Sequence, residues 1–379
     1  MKKGVKILSD SALVYGFGAL HGSGKTEDVE VMLIQSLAEQ HKLKYYFPET
    51  DYSTAAYFQK YIETGNEDLL YSLVKAYAER VPQEGSVEVY EKWKKLRPIF
   101  IKHQVQIIGV DKIANYQFSM LQMEDQLQTS TWVYKDILKN LLATSKSFSA
   151  YYSDSLKHTL KQLVESYEMN QDVILKEVKD SQVFKHIIKN IKYTFAWNDR
   201  ETILFDNYKA LNQSLNFKNA YQFVRMGLFH IMKGRMNRKA TFFAQLIESG
   251  MYTKAQVMTI QGYLSDSEVL WYTNYYPNGD YKNYSTKGDA GISDHIFEHF
   301  QGIKYLKKTA LSDMTYFNLN ADGSPYSEAK NLSLLNVKKR FGSANWHPDA
   351  TKATTDYIDA AVLILQSEAG YPIETLRVR

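Results

Sequence analysis

Six short apolar runs punctuate the 379-residue chain, each ending in a polar or glycine-containing turn. They are ALVYGFG (12–18), KYYFPE (44–49), QVQIIGVD (104–111), FVRMGLFH (223–230), AQVMTIQGYL (255–264) and AAVLILQ (360–366). Runs of this kind read as strands buried on both faces, as in a parallel sheet. Helical periodicity follows most of them. In EDVEVMLIQSLAEQHK, Val29, Met32, Leu33 and Leu37 recur at i, i+3, i+4 and i+8 and share one face. STAAYFQKYIETG follows the second run, with Ser53 placed as an N-cap and Gly65 as a C-terminal stop. Strands alternating with helices predict an α/β fold of three layers, a mostly parallel β-sheet flanked by helices.

Between the third and fourth strands the pattern changes. STWVYKDILKNLLATSKSF, YSDSLKHTLKQLVESYEM and DVILKEVKDSQVFKHIIKNIKYTF are long amphipathic helix candidates without strand signals. They predict a helical insertion, dividing the chain into a first half of the α/β core (1–112), the insertion (113–222) and a second half of the core (223–379). Residues 272–350 read as loop-rich, with turn clusters YYPNGDYKNYSTKGDAG and NADGSPYSEA.

Composition narrows the class of function. Hydrophobic content of 44% and charged content of 23% are globular values, and a net charge of +4 with mixed signs gives no argument for a nucleic-acid surface. Cysteine is absent, which removes disulfides, thiolate metal sites and cysteine nucleophiles. No run approaches the ~18 apolar residues of a membrane span, so neither nucleic acid nor membrane is expected as a partner. The start MKKGVKILSDSALVYG lacks the apolar stretch of a signal peptide, which favours the cytoplasm, or export if a leader has been removed. The 29 tyrosines read as amphipathic packing surface rather than a carbohydrate groove.

In an open parallel sheet, ligands bind beyond the carboxyl ends of the strands. His21 follows the first strand, Glu49 and Asp51 the second, Asp111 the third, His230 the fourth, and Ser265 and Asp266 the fifth. Two histidines and two or three carboxylates therefore converge on one edge. A carboxylate beside an imidazole fixes its tautomer and makes a general base near neutral pH, while a second histidine can orient substrate or stabilise an oxyanion. Histidine and carboxylate also suit zinc or manganese, but the dispersed spacing contains no local His-Glu-x-x-His motif, so no metal or other cofactor is assigned.

The segment ALHGSGKT (19–26) permits a competing interpretation, a phosphate loop with Lys25 on the phosphates. Glu27, Asp28 and Glu30 at the start of the following helix would repel a polyphosphate, and Ala19 stands where the stricter motif has glycine. The nucleotide-binding reading therefore ranks below the others. Thr26 becomes an N-cap candidate instead.

Six motifs in order resemble the erythromycin-esterase-like proteins, part of a wider group that shares a Gly-x-x-His turn with haem-uptake and Tiki-type proteins. GFGALHG resembles the opening turn, and KYYFPETDYSTAAYFQKYIETGNEDLL the strand ending in Glu with its aromatic helix. VQIIGVD resembles the Gly-x-Asp strand, NDRETILFDNYKAL the helix giving Arg200, Glu201 and Asn207, MGLFHIMKG the strand of the second histidine, and TTDYIDAAVLILQSEAGYPIE the last strand. The resemblance implies His21 as the base that activates water, Glu49 as its carboxylate, and His230 as the assisting histidine. It leaves Arg200 either anchoring a polar group or locking Glu49, and leaves Arg200 and Asn207 open to a purely structural role. The family turn carries Glu shortly before the histidine, where this chain has Gly18 and Ala19. That removes one carboxylate from the implied site.

The sequence thus predicts a hydrolase acting on an ester or lactone of unspecified identity, with a small molecule as its partner. The alternative is a catalytically degenerate relative that binds a small molecule in the same cleft. Oligomeric state is left open.

Overall fold

The computed structural model describes residues 11–378 except 42, 79–80, 146, 150–152, 197–198, 277–278, 289–293, 329–332, 342–347 and 350. The basic N-terminal residues 1–10 and parts of the two turn clusters, including Pro277 and Asn278, lie outside the described residues.

All six apolar runs form strands. In chain order, and counting three further strands used below, they are β1 (Val14–Gly18), β2 (Tyr45–Phe47), β3 (Gln106–Ile107), β4 (Gln222–Met226), β5 (Val257–Ser265), β6 (Val269–Tyr275), β7 (Tyr281–Lys287), β8 (Met314–Asn318) and β9 (Ala360–Leu365). A seven-stranded sheet runs β8-β9-β5-β1-β4-β2-β3. β8 pairs antiparallel with β9, and the other pairings are parallel. The chain leaves β1 toward β2 and β3, returns to insert β4 beside β1, and then crosses to β5 on the other side. β1 and β4 therefore flank the switch point, where connections diverge and leave a crevice at the strand ends.

The helices used below are α1 (Gly24–His41), α2 (Tyr52–Thr64), α3 (Glu67–Tyr77), α4 (Val87–His103), α5 (Gln117–Gln126), α6 (Tyr134–Thr144), α7 (Asp154–Glu177), α8 (Ser181–Lys192), α9 (Arg200–Leu215) and α10 (Phe242–Glu248). Alternation along β1 sends Tyr15 and Phe17 to one face, among Val29, Leu33 and Leu37 of α1 and Trp93, Leu96 and Phe100 of α4. Val14 joins the opposite face, with Leu204, Tyr208 and Leu211 of α9 and Phe242, Phe243 and Leu246 of α10. Both faces of the sheet are thereby covered. α5 to α8 bury a separate apolar cluster that includes Met123, Leu138, Leu160, Phe184 and Ile191. Among the described residues, no helix is long and apolar enough to cross a membrane.

Several local expectations need correction. Asp51, not Ser53, caps α2, accepting from the Ser53 and Thr54 amides at 3.0 and 3.1 Å. Gly65 does end that helix, in the left-handed region at φ 70°, and its N–H donates to the Tyr61 carbonyl. α1 begins at Gly24, so Thr26 lies inside its first turn with a buried hydroxyl and is not the cap. α4 was not anticipated; Pro98 in its interior breaks the helical reading, while its N-cap Ser86 and buried Val89, Trp93, Leu96 and Phe100 hold it. The 272–350 segment contains β7 and β8, and β6 overlaps its start. The β6–β7 ribbon is half-exposed and tyrosine-rich, so no apolar run marks it.

One glycine sets the geometry at the sheet edge. Past their paired ends, β2 and β3 stay in register through an Asp51–Asp111 bridge, and the Asp111 amide donates to the Thr50 carbonyl at 3.0 Å. A Cβ on Gly109 would fall 2.0 Å from the Asp51 carbonyl oxygen, a backbone atom that cannot swing aside. Gly109→Ala should therefore destabilise the protein by at least ~1–3 kcal/mol, the usual cost of forcing an extra group into a packed interior. Chemical denaturation measures this, and an unchanged midpoint would disprove the close approach.

Candidate functional site

The sheet edge at the ends of β1 and β4 gathers side chains from five places in the chain. β1 delivers His21 three residues past its end, and β2 delivers Glu49 two residues past its own. β3 leads to Asp111, and the turn after β4 carries Gly227 and His230. Arg200 and Glu201 open α9. Of the ten residues singled out from the sequence, His21, Glu49, Asp111, Arg200, Glu201 and His230 meet here, Asp51 and Asn207 lie at a remove, and Ser265 and Asp266 are engaged elsewhere.

Glu49 is the meeting point. Its carboxylate is 3% exposed and accepts from Arg200 Nη2 (2.6 Å) and from the Gly227 amide (2.7 Å). His21 Nε2 lies 3.4 Å and His230 Nε2 3.9 Å from it. Burial alone would raise its pKa, but the Arg200 charge and the His21 and His230 imidazoles hold it well below the usual carboxylate range.

Arg200 joins both sides of the crevice. Its Nε donates to Asp111 Oδ1 (3.1 Å), its Nη2 also bonds Asp111 Oδ2, and its Nη1 lies 2.9 Å from His230 Nε2. An arginine is always a donor, so His230 accepts at Nε2 and carries its proton on Nδ1, which donates to Glu201 Oε1 at 2.5 Å. The other oxygen of Glu201 accepts from the Phe242 amide at 2.7 Å, anchoring the second histidine to the start of α10.

Two candidates act at a remove. Asn207 lies two turns along α9 from Arg200, fully buried, and donates to the Val110 carbonyl (3.0 Å) and to Asn190 Oδ1 (2.8 Å). It ties α8 and α9 to the strand that carries Asp111. Asp51 caps α2, with its pKa pushed up to about 6 by burial and, to a lesser degree, by Asp111. Ser265 and Asp266 are engaged elsewhere: the Ser265 hydroxyl donates to Asp294, and Lys307 bridges Asp266 (3.1 Å) and Asp294 (2.9 Å). In the glycine-rich turn, Lys25 donates to Asp313 Oδ2 (2.7 Å) and to the Leu365 carbonyl (2.9 Å), commitments that draw it toward β9. Among the described residues, no group of three His, Asp or Glu side chains is arranged to hold a metal ion.

The residue that sequence reasoning missed is Glu84. It closes a single 3-10 turn, Pro82–Glu84, between α3 and α4, and one of its oxygens bonds His21 Nδ1 directly. Glu49, assigned as the carboxylate of His21, meets the other ring nitrogen instead. Burial works against a charged imidazole, but Glu84 and Glu49 outweigh it and push His21 up to about 9, with Arg225 opposing. Nothing in the PQEG stretch marks Glu84 as functional, because neither periodicity nor strand position points there.

Beneath the dyad lies a buried ionic cluster. Lys92 Nζ is 2.5 Å from Glu27 and 2.9 Å from Glu30, Arg225 Nε is 3.2 Å from Glu30, and the Tyr46 hydroxyl donates to Glu30 at 2.5 Å. Glu27, Glu30, Lys92 and Arg225 are each at most 3% exposed. Glu27 and Glu30 near the start of α1 therefore face buried cations, while Asp28 between them is half-exposed beside Lys95.

No family model matches the chain, and no curated protein matches it. Solved structures do. An erythromycin esterase, in its open conformation and with a histidine replaced by asparagine, aligns over 96% of this chain and 93% of its own, with a TM-score of 0.61 at 12% identity. A Bacillus cereus protein aligns over 96% of this chain and 90% of its own (TM-score 0.59, 16% identity). A succinoglycan biosynthesis protein covers the same shares, with a TM-score of 0.59 at 15% identity. At such identities the likeness establishes a shared fold, a mixed α/β architecture with a mostly parallel central sheet flanked by helices.

Proposed function

We propose that the chain hydrolyses an ester or lactone, with His21 activating water and Arg200 receiving the charge that develops on the carbonyl oxygen. The observation that carries this reading is the pairing of two carboxylate-backed imidazoles, His21–Glu84 and His230–Glu201, on either side of Glu49 and Arg200. The overall likeness to an erythromycin esterase supports it at the level of the fold.

The chemistry follows from the hydrogen bonds. With its Nδ1 proton on Glu84, a neutral His21 presents the Nε2 lone pair toward the crevice. Water bound at Nε2 gives up a proton as its oxygen attacks the carbonyl carbon. The imidazolium then returns that proton to the leaving alkoxide, so one water is consumed and an acid and an alcohol are released. Glu49 is a fixed anion, occupied by Arg200 and Gly227, and its role is to orient His21 and stabilise the imidazolium. Arg200 has five N–H groups, and among the described residues the contacts to Asp111, Glu49 and His230 engage four of them. The remaining Nη1 hydrogen, on a side chain 27% exposed, is the donor for the oxyanion.

A second reading draws on the raised His21. At neutral pH it rests as an imidazolium, which suits a binding cleft in which His21 donates to a ligand and never acts as a base. The two readings separate by turnover. On an ester and lactone panel, wild-type protein should release acid from at least one member. His21→Ala should lower that rate ~10²–10⁴-fold. Ligand-induced thermal stabilisation with no product from any panel member would favour the binding cleft instead.

The pH dependence tests the base directly. Only the deprotonated fraction of His21 can accept a proton, so kcat/KM should rise about tenfold per pH unit below a limb near pH 9. A limb near the ordinary histidine value of ~6.5 would remove His21 as the group that is titrating.

A further inference from the structure

Gly18, at the end of the strand that leads to His21, has no space for an acid. A Cβ on Gly18 would stand 2.6 Å from Ile231 Cγ1 and 3.0 Å from Leu228 Cα, so a glutamate there would collide with the turn after β4. The carboxylate arrives from a different part of the chain. Glu84 is 1% exposed, at the end of the turn Pro82–Glu84, where its amide donates to the Val81 carbonyl at 2.8 Å. The turn also meets the β6 strand: Gln83 donates to the Trp271 carbonyl, and the Leu270 amide donates to the carbonyl of Gly22, next to His21. His21 and Glu84 are thus held from both sides by backbone.

We infer that Glu84 is the positioning residue of His21: it binds Nδ1, keeps the proton there, and aims Nε2 into the crevice, in place of the acid that the Gly18–Ala19 turn lacks. The same geometry recurs at the second histidine, where Glu201 binds Nδ1 of His230. A carboxylate on one ring nitrogen determines which tautomer the other presents. For its effect on rate, the inference rests on the hydrolase reading; for the state of the imidazole, it does not.

The charged groups around the dyad determine the sign of its response. Glu49 lies 3.4 Å from Nε2 at the end of β2, with Arg200 of α9 on its far side. Arg225 of β4 lies 3.9 Å from Glu84 and is balanced by Glu27 and Glu30 of α1, which also hold Lys92 of α4. The Tyr77 and Tyr46 hydroxyls, from α3 and β2, complete the wall, and both are raised well above the ordinary tyrosine value by burial and these carboxylates. Neutralising Glu84 leaves Arg225 facing an imidazolium that has lost its nearest anion. His21 must then release its proton at lower pH.

The test is NMR titration of His21 in the full chain, with the resonance assigned through its loss in His21→Ala. In the wild type, His21 should titrate near pH 9 with its neutral form protonated at Nδ1. Glu84→Gln should move that midpoint down by more than one unit, and the acid limb of kcat/KM should move with it while the plateau falls 10- to 100-fold. A folded Glu84→Gln protein whose His21 midpoint and tautomer match wild type overturns the inference. Should that variant not fold, Glu84→Asp, one methylene shorter, takes its place: a midpoint at least half a unit lower supports the inference, and an unchanged one overturns it. A displaced midpoint in proteins that hydrolyse no ester would sustain Glu84 as the positioning residue and reject the hydrolase reading instead.

Discussion

The buried carboxylate of Glu49 constrains everything around it. An ionised carboxylate taken out of water costs several kcal/mol unless donors replace its hydration. Here the replacements are Arg200, the Gly227 amide and, in its imidazolium form, His21, supplied by α9, the turn after β4 and the turn after β1. Each donor is fixed in turn, Arg200 by Asp111 and His230, and His21 by Glu84. The strand order β1-β4-β2 brings these turns to one edge, and the satisfied charge keeps them there. Removing any single donor would leave a buried anion partly unpaired, so the fold and the site are stabilised by the same bonds.

How much of this could be read in advance depends on what each residue's position advertises. The six buried strands were legible because a strand covered on both faces must be apolar throughout. His21, Glu49, Asp111 and His230 were legible because topology sends every parallel strand end to one edge. Arg200, Glu201 and Asn207 were reached only through the resemblance of NDRETILFDNYKAL to a family motif, and all three make polar contacts from α9. Glu84 and the partners of Glu27 and Glu30 were not legible. Glu84 sits in a three-residue turn between two helices, and α4, which delivers Lys92, is disguised by Pro98. Acidic residues near the start of a helix usually complement its dipole at the surface, and only tertiary packing shows that Glu27 and Glu30 face Lys92 and Arg225.

The glycines of β1 connect the two accounts. Gly16 and Gly18 leave room for Phe243, Ile231 and the backbone at Leu228, so the turn bearing His230 packs directly onto the strand bearing His21. A side chain at either position would push the two histidine turns apart. The close approach of the two turns is therefore what excludes a glutamate at Gly18. An acid placed elsewhere must reach His21 from the other side of the ring, and the α3–α4 connection is where the chain passes that side. Glu84 brings a negative charge into the interior, and Arg225 and Lys92 offset it while Glu27 and Glu30 balance them in turn. Close packing of β1 against the β4 turn leaves no room for a carboxylate at Gly18, and the one that meets His21 stands instead over a buried charge network.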